Sequence, residues 1–173
     1  NPAIGGMAKG NLVREVDALG GAMGRVADET CVQFRRLNTR KGLAVRSSRA
    51  QVDIARYPKR MSQVLKAQKN LHIVEGEVVR LDVGDARITG VTLQDGRSIS
   101  GNRIILTTGT FLAGVMHCGE KQSEGGRVGD ASTAALSDRL RSLGLHLGRL
   151  KTGTTPRLDA RTIRWDRLEI QAD

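Results

Sequence analysis

The spacing of apolar residues predicts two helices in the first part of the chain. Apolar side chains recur at helical spacing over residues 12–19 and then meet Gly20-Gly21, which is typical of a helix and its end. The same spacing follows Pro58 and continues to Asn70, so we expect a second helix there. A short helical turn is expected at residues 23–27.

Three basic or glycine-containing segments surround these helices. Residues 1–10 contain Gly5, Gly6, Gly10 and a proline, which predicts a loop without a regular element. Residues 31–48 are basic and show no clear period, so we expect them to be irregular. Residues 49–55 are expected to be helical.

After residue 70 the pattern changes from helical to alternating. Alternating apolar and polar residues predict strands at residues 71–74, 77–81, 87–93 and 97–99. Asp95-Gly96 lies between the last two and is a strong hairpin signal, because both turn positions need positive φ. We therefore expect a β-meander.

A short apolar run, Ile-Ile-Leu at residues 104–106, is bounded by polar residues, as in a buried parallel strand. It leads into Thr108, Gly109 and Thr110. Ligands of open α/β sheets bind at the carboxyl ends of strands, where glycine permits close approach and threonine hydroxyls bond phosphate or ribose. These residues are the first candidates for a ligand site, and an ordinary strand-to-loop turn is the alternative.

The last third of the chain contains one clear helix, and the whole chain predicts an α/β fold. Asp130 or Ser132 is expected to cap this helix and Gly144 to end it. Three leucines are expected to face the core: Leu136, Leu140 and Leu143. A weakly marked boundary near residue 120 separates residues 1–120 from residues 121–173.

Composition limits the classes of partner. Aromatic residues make up 2% of the 173, so the core is aliphatic and stacked aromatic platforms for single-stranded nucleic acid are not expected. No apolar run reaches the roughly 18 residues of a membrane span. Cys31 and Cys118 lack metal-ligand spacing, and we expect reduced thiols in a cytoplasmic protein without a metal site.

Positive charge is concentrated in one stretch. The net charge is +10, and residues 35–60 hold nine basic residues against one acid, Asp53. Arginine offers a planar fork that suits phosphate, so nucleic acid is the leading partner. A solvated surface or the phosphates of a cofactor are the alternatives.

Several groups of residues match one known family in a single register. They include Asn1-Pro2-Ala3-Ile4-Gly5-Gly6, Gln33-Phe34-Arg35, Leu106-Thr107-Thr108-Gly109-Thr110, Gly125-Gly126-Arg127 and Lys151-Thr152-Gly153-Thr154. Over essentially its whole length the chain resembles the glucose-inhibited division protein A family, the tRNA uridine 5-carboxymethylaminomethyl modification enzymes.

The resemblance implies part of an FAD/NAD(P)-binding, Rossmann-like domain with a β-meander. The first Gly-rich βαβ signature, G-x-G-x-x-G, is missing, so we expect a fragment shortened at both ends. Residues 1–120 would be a partial FAD-binding domain, and residues 121–173 its continuation toward an inserted second domain. By position Val78 and Thr133 match family FAD contacts, and Thr108-Gly109 would lie near the same cofactor.

The resemblance also implies an activity. The family, with a GTPase partner of the MnmE family, adds a (carboxymethyl)aminomethyl group at C5 of the wobble uridine of tRNA. It uses FAD, NADH as reductant and methylene-tetrahydrofolate as carbon donor, and it forms homodimers. The basic residues expected to contact tRNA are Arg36, Lys41, Arg46, Arg127, Lys151 and Arg157.

No catalytic residue can be assigned from the sequence. Neither Cys31 nor Cys118 matches a family cysteine, and the chain alone is expected to be inactive. Two other functions remain open: a generic FAD-dependent oxidoreductase, which the high positive charge disfavours, and a basic RNA-binding module without a cofactor, which the Thr-Gly pattern disfavours.

Overall fold

The structure is a computed structural model that describes residues 2–130, 132–153 and 158–170. These residues form two compact units. Unit 1 comprises the described residues of 1–72 and 158–173, and unit 2 comprises those of 73–157. The sequence boundary near residue 120 stays a prediction.

Unit 1 contains a three-stranded antiparallel sheet. Its strands are β1 (Ala3–Gly5), β2 (Cys31–Leu37) and β3 (Ser47–Val52), in the order β1-β3-β2. Ala50 in the central strand lies opposite Ile4 on one side and Phe34 on the other. Alternate β3 residues therefore point to one face of the sheet, as the period of a strand requires.

Three helices pack with this sheet. They are α1 (Lys9–Ala18), α2 (Ala22–Thr30) and α3 (Arg56–Ala67). The unit 1 core consists of Ile4, Ala27, Ala50 and Val52, with Val13, Met23, Cys31 and Tyr57 packed against it. An ion pair between Glu29 and Arg60 joins α2 to α3.

Both helices predicted from apolar spacing are confirmed. Gly20 has a φ of +84°, which lets the chain turn after α1. Pro58 lies in the first turn of α3, where its missing N–H breaks no helical bond. Asp53 stabilises the start of α3, because its Oδ1 accepts hydrogen bonds from the amides of Ala55 and Arg56, both at 2.8 Å.

Three expectations for unit 1 are wrong, and pairing within the sheet explains each. Residues 49–55 are not helical, because β3 is bonded to a strand on both sides and this pairing overrides local propensity. Residues 31–48 are not irregular throughout, since β2 is an edge strand that pairs with β3. Residues 1–10 hold β1 because Gly5 permits close approach: a Cβ there would lie 2.3 Å from Arg49 Cα.

Unit 2 contains the expected β-meander. Its strands are β4 (Val78–Gly84), β5 (Arg87–Leu93) and β6 (Ser98–Ser100), joined antiparallel in that order. The β4–β5 turn consists of Asp85 and Ala86, whose φ values are +49° and +58°. Only Gly96 of the Asp95-Gly96 pair has positive φ, at +87°, so the hairpin is confirmed although its turn differs from the expected type.

Two expected strands are absent. Residues 71–74 and 104–106 have no regular structure. Ile105 is 88% exposed, so the apolar run is not a buried strand here. The described residues offer only antiparallel pairs, and a parallel strand has no partner among them. The fold is mixed α/β with small antiparallel sheets, and the Rossmann-like assignment stays a prediction.

The predicted leucine-rich helix is present as α4 (Ala134–Ser142), which packs on β4. Leu136 and Leu140 are each 3% exposed, and they form a core with Leu81. Leu143 follows the helix at 36% exposure, so its expected burial is incomplete. Gly144, with a φ of +84°, ends the helix as predicted.

The expected cap of α4 is wrong. The helix begins after Thr133, and no side chain caps it. Asp130 instead lies 3.8 Å from the Arg127 Nε in an exposed ion pair. A further hairpin, β7 (Val115–Cys118) with β8 (Lys121–Glu124), precedes this region. None of the helices in the described ranges combines the length and apolar composition that a bilayer crossing requires.

Candidate functional site

The β2–β3 hairpin of unit 1 carries a concentrated positive surface. Arg36 lies on β2 opposite Ser48, and Lys41 and Arg46 lie in the connecting loop. All three basic side chains are exposed. Because residues 35–52 contain no acidic residue, the charged side chains that this segment itself contributes are all positive.

The hairpin loop is held by its own polar contacts. Asn38, with a φ of +58°, donates from Nδ2 to the Val45 carbonyl at 3.0 Å. Arg46 donates from Nε and Nη2 to the Thr39 carbonyl at 3.2 and 3.0 Å. Arg46 therefore shapes the loop, whereas the ammonium of Lys41 has no side-chain partner among the described residues and is free to meet an anion.

The other basic residues expected to contact tRNA lie in unit 2 or outside the residues that the structure describes. Arg127 is 78% exposed and pairs weakly with Asp130. Lys151 is exposed. Arg157 lies outside the described residues. The structure thus brings together Arg36, Lys41 and Arg46 on one hairpin and places Arg127 and Lys151 in the other unit.

The four residues expected at an FAD site all lie in unit 2: Val78 and Thr133, which match family contacts, and the Thr108-Gly109 turn. Thr108 begins a turn in which the Phe111 amide donates to the Thr108 carbonyl at 3.1 Å. The Thr133 amide donates to the Phe111 carbonyl at 2.9 Å, which ties the start of α4 to this turn. Thr108, Gly109 and Thr133 are therefore held close together by backbone hydrogen bonds.

Glycines allow the backbone around this turn to pack closely. A Cβ on Gly114 would lie 2.3 Å from the Thr110 carbonyl oxygen, and one on Gly126 would lie 2.5 Å from the same atom. The Thr110 hydroxyl also donates to the Gly126 carbonyl at 3.2 Å. Gly109, in contrast, has a φ of +59° and open space where a Cβ would stand. Its backbone is accessible to a ligand.

Val78 is connected to the same region through the core. It begins β4 opposite Leu93 and packs against the cluster of Leu81, Leu136 and Leu140. Leu136 and Leu140 belong to α4, the helix that starts at Thr133. This core thus joins Val78 to the helix that Thr133 directly precedes.

These residues suit a phosphate-containing cofactor such as FAD. The first turn of α4 has no side-chain cap, so backbone amides at its start remain available to an anion. The Thr133 side chain makes no capping bond and is half-buried beside them. Val78 would meet an adenine edge with its backbone, and the Thr108-Gly109 turn supplies a hydroxyl and an open backbone.

A depression in unit 1, which we call the α1–α2 cavity, was not predicted from the sequence. It has a volume of about 230 Å³ and lies among α1, α2 and the sheet. Its apolar floor is formed by Ile4, Val13, Ala27 and Ala50, and its exposed rim by Arg14, Asp17, Asp28 and Phe34. The only sequence signal was the helical spacing that places Arg14 and Asp17 one turn apart.

A second depression, of about 410 Å³, lies beside β4. Several of the polar side chains that line it bond to groups of the protein itself. Arg80 Nε lies 2.8 Å from Asp82 Oδ1, and the Thr92 hydroxyl donates to the same carboxylate. The bonds from Arg80 and Thr92 hold the pKa of Asp82 below its usual value. Arg139 donates to the Leu81 carbonyl at 3.2 Å. These groups hold β4, β5 and α4 together.

The described residues contain no cluster of metal-ligating side chains, and Cys31 and Cys118 form no disulfide. Nowhere in the described ranges do three His, Cys, Asp or Glu side chains converge as metal ligands would. Cys31 is half-buried and donates from Sγ to the Gln33 carbonyl at 3.2 Å, and Cys118 is exposed. The catalytic residue stays unassigned.

Comparisons of the sequence with known proteins all identify the same family. The sequence model of the family described as "Glucose inhibited division protein A" matches residues 1–173. A relative from Pelobacter propionicus, "tRNA uridine 5-carboxymethylaminomethyl modification enzyme MnmG", is 54% identical over 171 residues. These residues are 99% of this chain and 27% of the relative. A relative of the same name from Geobacter sulfurreducens is also 54% identical over 171 residues, with the same coverage.

Solved structures agree with the sequence relatives. The structure of Aquifex aeolicus GidA matches with a TM-score of 0.85 and 49% identity. The match covers 98% of this chain and 28% of the Aquifex chain. The chain therefore spans little more than a quarter of the length of the proteins it matches.

Proposed function

The chain belongs to the glucose inhibited division protein A family, and we propose that it forms part of an FAD-dependent enzyme that modifies tRNA. The observation that carries the proposal is a match of the family over all 173 residues. Relatives about half identical to the chain are named as tRNA uridine modification enzymes. The reaction proposed for the whole enzyme is addition of a (carboxymethyl)aminomethyl group at C5 of the wobble uridine.

In this proposal unit 2 contributes to the cofactor site. FAD, when bound, supplies the redox chemistry of the reaction. Thr133 and the uncapped amides of α4 would bind phosphate oxygens, and the Thr108-Gly109 turn would approach the same cofactor. Val78 would position the adenine. Support comes from the backbone bonds that tie the Thr108 turn to Thr133 and from the shared core under Val78.

Unit 1 would contribute the contact with tRNA phosphates. Arg36 and Lys41 extend from the β2–β3 hairpin, and Arg46 fixes its loop while adding charge. Phosphate contacts position a nucleic acid without reading its sequence, so these residues set the register of the RNA. Arg127, Lys151 and Arg157 are proposed as further contacts. Such binding weakens steeply as salt rises, because bound counterions are released.

The remaining features of the enzyme follow from family membership. NADH would serve as reductant and methylene-tetrahydrofolate as carbon donor, and a GTPase of the MnmE family would be the partner. A cytoplasmic homodimer is proposed for the full-length protein. The 173 residues by themselves are proposed to be inactive, because they contain no G-x-G-x-x-G signature.

The proposal is tested first by the absorbance of the full-length protein between about 350 and 500 nm, purified without added cofactor. FAD bands are expected, and Thr133→Ala is expected to lower the flavin content. Ser132→Ala is the matched control, because Ser132 precedes the helix start and does not cap it. A protein that binds no flavin even after FAD is added would contradict the proposal and favour an RNA-binding module.

A second measurement separates the proposal from a generic flavin oxidoreductase. The flavin-containing protein is mixed with tRNA, and the affinity is measured at several salt concentrations. Tight, salt-sensitive binding is expected from the basic hairpin. Bound flavin with no affinity for tRNA would instead favour a small-molecule substrate.

A further inference from the structure

The rim of the α1–α2 cavity carries charged side chains of both signs that do not neutralise one another. Arg14 and Asp17 lie one turn apart on α1, and Asp28 lies on α2. The Arg14 Nη2 donates to the Ser48 hydroxyl at 2.9 Å, which leaves other N–H groups of the guanidinium for a ligand. Within the described ranges neither carboxylate forms a side-chain hydrogen bond or an ion pair. Both signs of charge therefore border the cavity with bonding capacity to spare.

Two glycines leave space beside these charges. Gly10 and Gly24 both line the cavity. A Cβ on Gly24 would lie 3.0 Å from the Asp17 Oδ1, so a side chain at this position would crowd the carboxylate. Gly24 lies within the first turn of α2, where alanine is the better helix former. Glycine here therefore costs helix stability and keeps the Asp17 carboxylate in its place at the cavity.

The mixture of charges disfavours ligands that carry a single sign or none. A phosphate would meet two carboxylates, and a metal ion would meet the Arg14 guanidinium, while the described residues offer no group of three metal-ligating side chains. An uncharged ring would displace water from all of these charges without pairing any of them, which is costly. A zwitterion satisfies both signs, because an arginine fork binds a carboxylate and carboxylates bind an ammonium group.

The size and the floor of the cavity favour a small amino acid. The volume of about 230 Å³ is below the roughly 300–1,000 Å³ of pockets that hold drug-sized ligands. The floor is apolar, with Ile4 at 9%, Ala27 at 3% and Ala50 at 6% exposure. Contacts between opposite charges strengthen where the surroundings are apolar, because the local dielectric is low. The ligand that fits is an ammonium group and a carboxylate joined by a short apolar link.

We propose that the α1–α2 cavity binds glycine, with its carboxylate on Arg14 and its ammonium group on Asp17 and Asp28. The assignment rests on the proposed function, because a (carboxymethyl)aminomethyl group contains the N–CH₂–COO⁻ unit of glycine. A methylene donor accounts for one further carbon only, so the remaining atoms come from an amine that already carries the carboxymethyl group. The cavity is then the site that holds this amine.

Saturation-transfer NMR of the full-length protein, purified with its flavin, tests the assignment. The probes are glycine, methylamine, which lacks the carboxylate, and acetate, which lacks the ammonium group. Titration gives a dissociation constant for each. Glycine is expected to bind about tenfold or more tightly than either fragment, because each fragment lacks one charge-assisted contact. Glycine that binds no better than both fragments would overturn the assignment.

Three variants address the two kinds of contact, and two others serve as matched controls. Arg14→Gln should weaken glycine binding about tenfold without weakening that of methylamine, and Asp17→Asn should do so without weakening that of acetate. Gly24→Ala should also weaken glycine binding while it favours α2, so its loss cannot result from unfolding. Glu15→Gln and Arg25→Gln remove the same charges from the same helices outside the cavity, and both should bind glycine as the wild type does.

The outcomes separate this assignment from the proposed function. No saturation transfer to glycine, or equal losses in the cavity variants and the controls, overturns the glycine site alone when the flavin bands and the salt-sensitive affinity for tRNA persist. A wild-type protein with neither flavin nor affinity for tRNA overturns the proposed function together with this inference.

Discussion

Replacement of Ala86 by glycine should stabilise the β4–β5 hairpin. Asp85 and Ala86 form its two-residue turn, and both have positive φ, as a type I′ turn requires. Aspartate tolerates this region, but the Cβ of alanine crowds the following carbonyl. Ala86 is exposed, so the substitution changes the backbone preference without removing a packed side chain.

The expected gain is the difference between two backbone effects. The left-handed conformation costs an L-residue about 1–2 kcal/mol, which glycine does not incur. Glycine also increases the conformational entropy of the unfolded chain, which costs about 0.4–1 kcal/mol. A net stabilisation of about 0.5–1 kcal/mol remains. It corresponds to a roughly two- to fivefold smaller population of the open hairpin at equilibrium.

Hydrogen–deuterium exchange of the full-length protein measures this local stability directly. Amides of β4 and β5 should exchange about two- to fivefold more slowly in Ala86→Gly. The control is Ala135→Gly in α4, where φ is helical and glycine is expected to destabilise by up to about 1 kcal/mol. The same chemical change should thus have opposite effects at the two positions. Faster exchange of the hairpin in Ala86→Gly would refute the reasoning.

Three other changes have defined expected outcomes. Asp53→Ala should lower the melting temperature. Amides of Arg56 and Ala55 hold the pKa of Asp53 below its usual value, so its stabilisation is present at neutral pH and is lost as pH falls through that lowered pKa, which melts at decreasing pH will show. Leu140→Ala should cost about 2–5 kcal/mol in urea unfolding, whereas Leu150→Ala, at a fully exposed residue, should stay within about 0.5 kcal/mol. Lys41→Ala should reduce the slope of log affinity for tRNA against log salt by about 1, and an unchanged slope would remove Lys41 from the phosphate contacts.

Short sequence patterns predict the elements that form between residues close together in the chain. Apolar residues of helix α1 recur at helical spacing and a glycine follows them, and the β4–β5 hairpin pairs neighbours in sequence. A short stretch of sequence therefore contains the information that predicts each element. Strand β3 was missed because its residues Arg49, Ala50 and Gln51 have no strong strand preference. It forms through pairing on both sides, with the preceding strand β2 and with β1, from which two helices and β2 separate it in sequence.

The candidate sites also differ in how far the sequence alone predicts them. The basic hairpin was visible as a cluster of charge, but its shape depends on contacts such as that from Arg46 to Thr39. The proposed cofactor residues came from resemblance, because Val78 and Thr133 have no special chemistry of their own. The α1–α2 cavity could not be predicted from the sequence, because Arg14, Phe34 and Ser48 belong to separate elements and come together only in the folded unit.

The division of the chain also sets an order for its synthesis and folding. Unit 1 includes residues 158–170, whereas unit 2 is continuous in sequence between its two parts. A ribosome therefore releases all of unit 2 before it releases the last segment of unit 1. Domains tend to fold as they emerge, so unit 2 can acquire its core while unit 1 still awaits its final contacts. Nascent chains in which residue 157, but not residue 158, has left the ribosome should protect the β4–β6 meander from protease and leave unit 1 incomplete.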